Sequence, residues 1–222
     1  MDGDVRSILI EGCARMEITL TPDAAARFET YLALLQAWGK KINLTTHLEA
    51  RDVVIHHFLD SLSGVRFLSG ESGARVVDLG AGAGLPSFPL KFALPMLRLT
   101  LIESVRKKVS FCQEVIRATS STGIDAVWGR SEDLALRSGY CGAYDWAVSR
   151  ALGQCADVVR LALPFLRPGG KVLLYKGEPG QGELQSLESL LSQIEATWEF
   201  HQVVVPYLKA RRSLIVVRNA GG

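Results

Sequence analysis

The segment Val76-Val77-Asp78-Leu79-Gly80-Ala81-Gly82-Ala83-Gly84-Leu85-Pro86 constrains this chain more than any other. An apolar run closes on an acid, and glycines follow at alternate positions. That is the pattern of a buried strand turning tightly into a helix whose N-terminus faces a ligand. Glycine carries no Cβ, so backbone can approach a ligand closely there. The spacing excludes a dinucleotide fingerprint, which needs G-x-G-x-x-G. Counting from Gly80 puts Leu85 where the last glycine should stand, and counting from Gly82 puts Ser87 there.

The D-x-G-x-G-x-G form instead resembles motif I of class I S-adenosylmethionine methyltransferases. That cofactor carries a carboxylate, an ammonium and a ribose, but no pyrophosphate. An acid beside the glycines repels a pyrophosphate and favours an ammonium. A glycine-rich turn with no ligand is the plainer alternative.

The bulk numbers narrow the class. A chain of 222 residues suits one α/β domain with a short accessory segment. An apolar share of 48% excludes wholesale disorder, and a net charge of +2 means that any nucleic-acid surface must come from clustered bases. No apolar stretch approaches the roughly 18 residues that span a bilayer. The acidic start Met1-Asp2-Gly3-Asp4 lacks the order of a signal peptide. Four cysteines without a C-x-x-C pair read as reduced thiols of a cytoplasmic protein.

Residues 1–65 read as a helical extension, and residues 66–222 as the main domain. Thr21 caps a helix with Pro22 at its first position. Phe28, Tyr31, Leu32, Leu35 and Trp38 share one face, and Gly39 is a stop. A second helix is expected over 49–62. From Ala74 on, strand-like runs at 75–79, 97–102, 124–128, 144–149 and 171–175 alternate with helical stretches. This implies a doubly wound, mostly parallel α/β sheet. Two final strands, 199–205 and 213–217, have no helix between them and imply an antiparallel pair.

Ligands in such sheets bind at the carboxyl ends of the strands. The first strand delivers Asp78, with Gly80, Gly82 and Gly84 in the loop after it. Glu103 ends the second, where it can accept two ribose hydroxyls or simply favour a helix start. After the third, Ser131 and Glu132 can flank an adenine while Ser131 caps the next helix. Arg150 ends the fourth, either at the pocket mouth or as an ion-pair partner.

The missing motifs bear on the methyl acceptor. Exocyclic amines of bases are commonly methylated with an Asn- or Asp-Pro-Pro-aromatic turn after the fourth strand, where this chain has Ser149-Arg150-Ala151-Leu152. A pyrimidine carbon needs a cysteine nucleophile. Neither Cys141 nor Cys155 follows a proline. A ring nitrogen with a free lone pair needs only alignment, desolvation and a suitable field.

Taken together, the residues closely resemble the ribosomal RNA small subunit methyltransferase G family, also called glucose-inhibited division protein B. The matching pieces are Asn43-Leu44-Thr45, His57-x-x-Asp60-Ser61-Leu62, the Asp78–Pro86 loop, Glu103-Ser104-x-x-Lys107-Lys108-x-x-Phe111, Val148-Ser149-Arg150-Ala151, Pro168-Gly169-Gly170, Lys176-Gly177 and Arg212-x-Leu214. The resemblance implies a class I fold and S-adenosylmethionine as cofactor. It also implies methylation of guanine N-7 at one site in 16S rRNA of the small ribosomal subunit. It assigns Gly80, Leu85, Ser131, Glu132 and Arg150 to cofactor contacts. Asn43, His57, Asp60, Lys107, Lys176 and Arg212 are the candidate RNA contacts, with Arg150 bridging cofactor and RNA as the candidate catalytic group. No metal is expected, and a monomer is. Ser87 and His56 stand where the family usually has glycine and arginine. The alternatives are a non-catalytic nucleotide-sensing or division-regulatory module, or a related methyltransferase for a small molecule or protein.

Overall fold

Asp2 and Thr21 open the first two helices. Each side chain accepts a backbone amide, from Val5 at 2.9 Å and from Ala24 at 3.1 Å, so α1 (Gly3–Arg15) and α2 (Pro22–Gly39) begin on capped turns. Pro22 lies in the first turn, where its missing N–H leaves no bond unmade. The helix expected over 49–62 is one run of chain but not one geometry. α3 (Ala50–Val53) widens into a π-helical segment (Val54–Leu59) and tightens again as α4 (Asp60–Leu62). α5 (Val65–Leu68) then leads into the sheet. The computed structural model describes residues 1–219.

From β1 (Arg75–Leu79) strands and helices alternate. α6 (Ser87–Ala93), β2 (Arg98–Glu103), α7 (Arg106–Ala118), β3 (Ile124–Trp128), α8 (Ser131–Ala135) and β4 (Tyr144–Arg150) follow. Then come α9 (Cys155–Ala162), a 3-10 turn (Leu163–Phe165), β5 (Leu166–Lys176), α10 (Gln181–Gln193), β6 (Thr197–Val203) and β7 (Arg212–Arg218). The seven strands lie in the order β3-β2-β1-β4-β5-β7-β6. β1 to β5 are parallel, while β7 runs antiparallel to both β5 and β6. The doubly wound sheet with an antiparallel pair at its end is therefore the observed one. The strand order reverses between β1 and β4, which opens a crevice at their carboxyl ends.

Strand periodicity divides the core. Val76, Leu99, Leu101, Val148 and Leu173 face one side, with the N-terminal helices, α6 and α7. Val77, Leu79, Ile102, Ala147 and Leu174 face the other, with α8, α9 and α10. Phe28, Tyr31 and Phe58 from the extension thus share a core with the sheet, and Tyr31 stacks on Phe58 at 5.2 Å. Ser131, expected as a helix cap, is instead the first residue of α8. Arg130 holds the cap position, and no side chain caps the helix. All four cysteines are free thiols. Among the described residues no helix is long and apolar enough to cross a membrane.

Candidate active site

The loop after β1 is built on left-handed backbone, with φ of +69° at Gly80, +59° at Gly82 and +82° at Gly84. Side chains rarely adopt that region, which accounts for the alternate glycines. Their surroundings differ. A Cβ at Gly84 would stand 2.2 Å from the Phe88 ring, whereas one at Gly82 would meet nothing nearer than the Gly80 carbonyl at 3.9 Å. Gly84 is small for packing; Gly82 keeps backbone bare toward open space. The loop is held from outside as well. Gly80 and Ala81 amides donate to the Ile102 carbonyl at 3.0 Å each, and the Tyr31 hydroxyl donates to the Ala83 carbonyl at 2.7 Å.

Both acids are buried. Glu103 accepts the Gly82 amide on Oε2 at 2.9 Å and the Val105 amide on Oε1 at 2.8 Å. It fixes the middle glycine and the turn into α7; Oε1 also accepts the Ser104 hydroxyl at 3.4 Å, and Oε2 retains a lone pair for a ligand hydroxyl. Asp78 is wholly enclosed, with Oδ2 accepting from the Ser87 hydroxyl at 2.6 Å and Oδ1 lacking any hydrogen-bond partner. Burial pushes its pKa up to about 7, with Ser87 pulling the other way. An orphaned buried carboxylate oxygen calls for a ligand donor.

Beside these groups lies a cavity of about 190 Å³ lined by Gly80, Ile102, Ser104, Gly129, Arg130, Ser131, Glu132, Leu152 and Leu161. It joins bare backbone, serine hydroxyls and leucine walls, the mixture an adenosine moiety requires. Leu85 is half-buried on the same loop. The orphaned Asp78 oxygen, the open backbone at Gly82 and this cavity together fit S-adenosylmethionine.

Arg150 ends β4 as expected, but it is not free at a pocket mouth. Its two terminal nitrogens make four hydrogen bonds within the protein, and Nε lies in an ion pair. Nε faces Asp60 Oδ2 at 3.3 Å, and Nη1 donates to the His57 carbonyl at 3.2 Å and the Ser61 hydroxyl at 3.0 Å. Nη2 donates to the His56 carbonyl and to His57 Nδ1, both at 2.8 Å. The π-helical segment carries both accepting carbonyls. Such widened turns depart from the regular α-helical ladder and often stand at functional sites. Because arginine only donates, His57 Nδ1 must be the acceptor and Nε2 must carry the proton, which goes to Thr45 Oγ1. Burial, then the Arg150 charge, holds the His57 pKa down to about 3. Asp60 completes the cluster by accepting Arg212 Nε on Oδ1 at 3.0 Å.

A second cavity, about 230 Å³, is lined by Asp60, Arg150, Ala151, Tyr175, Lys176, Gly177, Arg212, Ser213 and Leu214. The structure thus brings together four sequence candidates: Asp60, Arg150, Lys176 and Arg212. His57 stands behind them, buried. Lys176 is tethered, with Nζ 2.7 Å from Glu183 and 2.5 Å from the Gly153 carbonyl. Lys107 is exposed near the start of α7, after β2, and Asn43 is exposed between α2 and α3. Neither lines this cavity. Sequence pattern alone does not single out Tyr31 or Tyr175, which read as members of an apolar stripe and of a strand. The Tyr175 hydroxyl donates to the Ser61 carbonyl at 2.9 Å. The available signal was chemical: a buried tyrosine hydroxyl needs a partner.

Among solved structures, the chain is similar to Aeropyrum pernix fibrillarin with bound S-adenosyl-L-methionine, with a TM-score of 0.55 and 17% identity over 72% of this chain and 76% of that one. It is also similar to the O-methyltransferase TomG from Streptomyces achromogenes in complex with SAM, with a TM-score of 0.57 and 16% identity over 92% of each chain. These likenesses establish the class I methyltransferase fold. In sequence the chain is 35% identical to the ribosomal RNA small subunit methyltransferase G of Alkaliphilus oremlandii, over 97% of this chain and 91% of the relative. It is 34% identical to that of Geobacter metallireducens, over 98% and 97%. The family model described as rRNA small subunit methyltransferase G matches residues 24–215. The chain belongs to the ribosomal RNA small subunit methyltransferase G family.

Proposed function

We propose that this protein uses S-adenosylmethionine to methylate N-7 of one guanine in the 16S rRNA of the small ribosomal subunit. One observation carries the reading. The end of β4 stands between two cavities: Leu152 lines the cavity beside the glycine loop, while Arg150 and Ala151 line the one that holds Arg212 and Lys176. A donor held in the first and a base held in the second would meet at one strand end.

When bound, the cofactor supplies an electrophilic methyl group on a sulfonium. Asp78, Gly80, Gly82, Gly84, Leu85, Glu103, Ser131 and Glu132 are the residues that would hold it. Guanine N-7 has a lone pair and no proton, so the protein need supply no base. Its work is to align, to exclude water and to set the field. Arg150 serves that work by position, because its donors lock the π-helical segment onto the strand end. Asp60 offsets the charges of Arg150 and Arg212 beside a ring that becomes cationic on methylation. Arg212 and Lys176 suit the phosphates of an RNA strand, and the exposed Lys107 and Asn43 are candidates for further backbone contacts. A cysteine-nucleophile route finds no support in Cys155, whose thiol is buried and pushed up to about 12.

The test is transfer of labelled methyl groups to 16S rRNA and to small subunits, with the modified base mapped. Label at N-7 of one guanine is expected. Donor binding without incorporation into either substrate would replace this reading with a nucleotide-sensing one.

A further inference from the structure

Ser87 is fully buried at the start of α6. Its Oγ donates to Asp78 Oδ2 at 2.6 Å. This leaves Asp78 with one oxygen held and the other, Oδ1, enclosed without a hydrogen-bond partner. A buried anionic oxygen in that state has two remedies: it takes a proton, or it meets a cation.

The groups around Asp78 limit which remedy the protein itself supplies. Glu103 on β2 adds like charge and raises its proton affinity, while Arg150 on β4 opposes this at longer range. Arg150 has its donors occupied elsewhere. Tyr31 from α2, Cys112 from α7 and Tyr175 from β5 stand nearby, all three with raised pKa values, so they remain neutral near pH 7. Among the described residues no lysine or arginine bonds Asp78 Oδ1, so a ligand is the remaining source of a cation there.

We propose that capture of the methyl donor is proton-coupled at buried Asp78 and that Ser87 is the positioning residue that sets its pH range: the Ser87 hydroxyl holds Oδ2, and Oδ1 gives up its proton when the cationic amino group of the donor arrives. This rests on the reading that the donor's amino-acid end lies at the glycine loop. The balance is simple. The O–H bond at Oδ1 breaks, its proton passes to buffer, and an ion pair with the ammonium, direct or through water, replaces it. Asp78 holds its proton below about pH 7 in the free protein. Donor affinity is therefore greatest between that pH and the pH at which the donor's own α-amino group loses its proton, and it weakens as pH falls through about 7. Without the Ser87 hydroxyl the free-protein value rises, and the proton-coupled range extends to higher pH.

The experiment is binding calorimetry of the full chain in buffers of different ionisation enthalpy, between pH 6 and 9. S-adenosylhomocysteine is the probe, since it keeps the amino-acid end, and methylthioadenosine, which lacks it, is the control. Expected for the wild type is release approaching one proton near pH 6 that declines as pH rises through about 7 and turns to uptake toward pH 9, where the free ligand's own α-amino group has lost its proton. Methylthioadenosine should release none at any pH. Ser87→Ala should move the release profile to higher pH. It should also weaken S-adenosylhomocysteine near neutrality, by about tenfold for each pH unit that the profile moves. It should leave methylthioadenosine affinity unchanged. Equal proton release with both ligands, or none with either, would overturn the proposal on the wild-type protein alone. An unmoved profile in a folded Ser87→Ala would overturn the role of Ser87. If neither ligand bound, the donor-site reading beneath the proposal would fall first.

Discussion

The Arg150 guanidinium meets the Asp60 carboxylate across the joint between sheet and helical extension, with Nε 3.3 Å from Oδ2 and both side chains largely buried. The pair ties residues about ninety positions apart into one structure. Nη1 and Nη2 engage His56, His57 and Ser61 on the same helical run. Removing Arg150 leaves Asp60 paired with Arg212 but strips the His56 and His57 carbonyls and His57 Nδ1 of their donor, at about 1–3 kcal/mol for each buried group left unsatisfied. Arg150→Ala is expected to lower unfolding free energy on that scale and to depress methyl transfer more than donor affinity. Arg150→Lys should recover little, because an ammonium cannot reproduce the planar fork. Urea denaturation with donor titration checks this. A variant of wild-type stability with normal single-turnover transfer would remove Arg150 from both roles.

His57 makes the same joint sensitive to acid. Its pKa, held down to about 3 by burial and the neighbouring Arg150, compares with an ordinary value near 6.5 in the unfolded chain. The folded form therefore binds the proton less well. The stability contributed by neutral His57 is complete above about pH 6.5 and is lost as pH falls toward 3. His57→Gln keeps an acceptor for Arg150 and a donor for Thr45 but cannot titrate. Denaturation midpoints at pH 7, 5.5 and 4.5 should fall more steeply for the wild type than for His57→Gln. Parallel slopes would show that other groups dominate acid unfolding.

Arg212 is expected to separate substrate from donor. Its Nε is held by Asp60 at 3.0 Å, and it lines the cavity that holds Lys176 but not the one beside the glycine loop. A charge-assisted hydrogen bond is worth about 1.5–3 kcal/mol, so Arg212→Ala should reduce kcat/KM for RNA by roughly ten- to a hundredfold. Donor affinity should stay within about twofold of wild type, since no shared contact couples the two sites directly. Comparable loss of both would place Arg212 in the fold or in the donor pocket.

How much of this was legible in the sequence depended on the range of the interaction. The Asp78–Pro86 loop was readable because glycine spacing and a strand-end acid are local rules. The alternation from Ala74 likewise carried the parallel sheet and its antiparallel end. Arg150 was placed correctly at a strand end, but its partners were not readable. They lie on a helical run about ninety residues earlier, and their carbonyls are presented by a π-helical segment that apolar periodicity does not announce. Tyr31 read as one more member of an apolar stripe, and only folding α2 onto the glycine loop gives its hydroxyl the Ala83 carbonyl. Ser131 looked like a cap because serine before acids usually is one, yet the helix begins one position earlier than that rule expects.

The two roles of glycine in the loop can be told apart by the same substitution. At both Gly82 and Gly84 an added methyl meets a left-handed backbone, which costs about 1–2 kcal/mol. At Gly84 the Cβ would also stand 2.2 Å from the Phe88 ring, inside a packed core. Gly84→Ala is therefore expected to destabilise the fold beyond the backbone cost and to lose donor binding as a consequence. At Gly82 the nearest atom is 3.9 Å away, so Gly82→Ala should lose only the backbone strain. Its methyl would project instead into the space the donor needs, and donor affinity should fall by more than the loss of stability explains. Thermal melts paired with donor titration of both variants read the difference. Wild-type donor affinity in a folded Gly82→Ala would show that the bare backbone at Gly82 is not where the ligand lies.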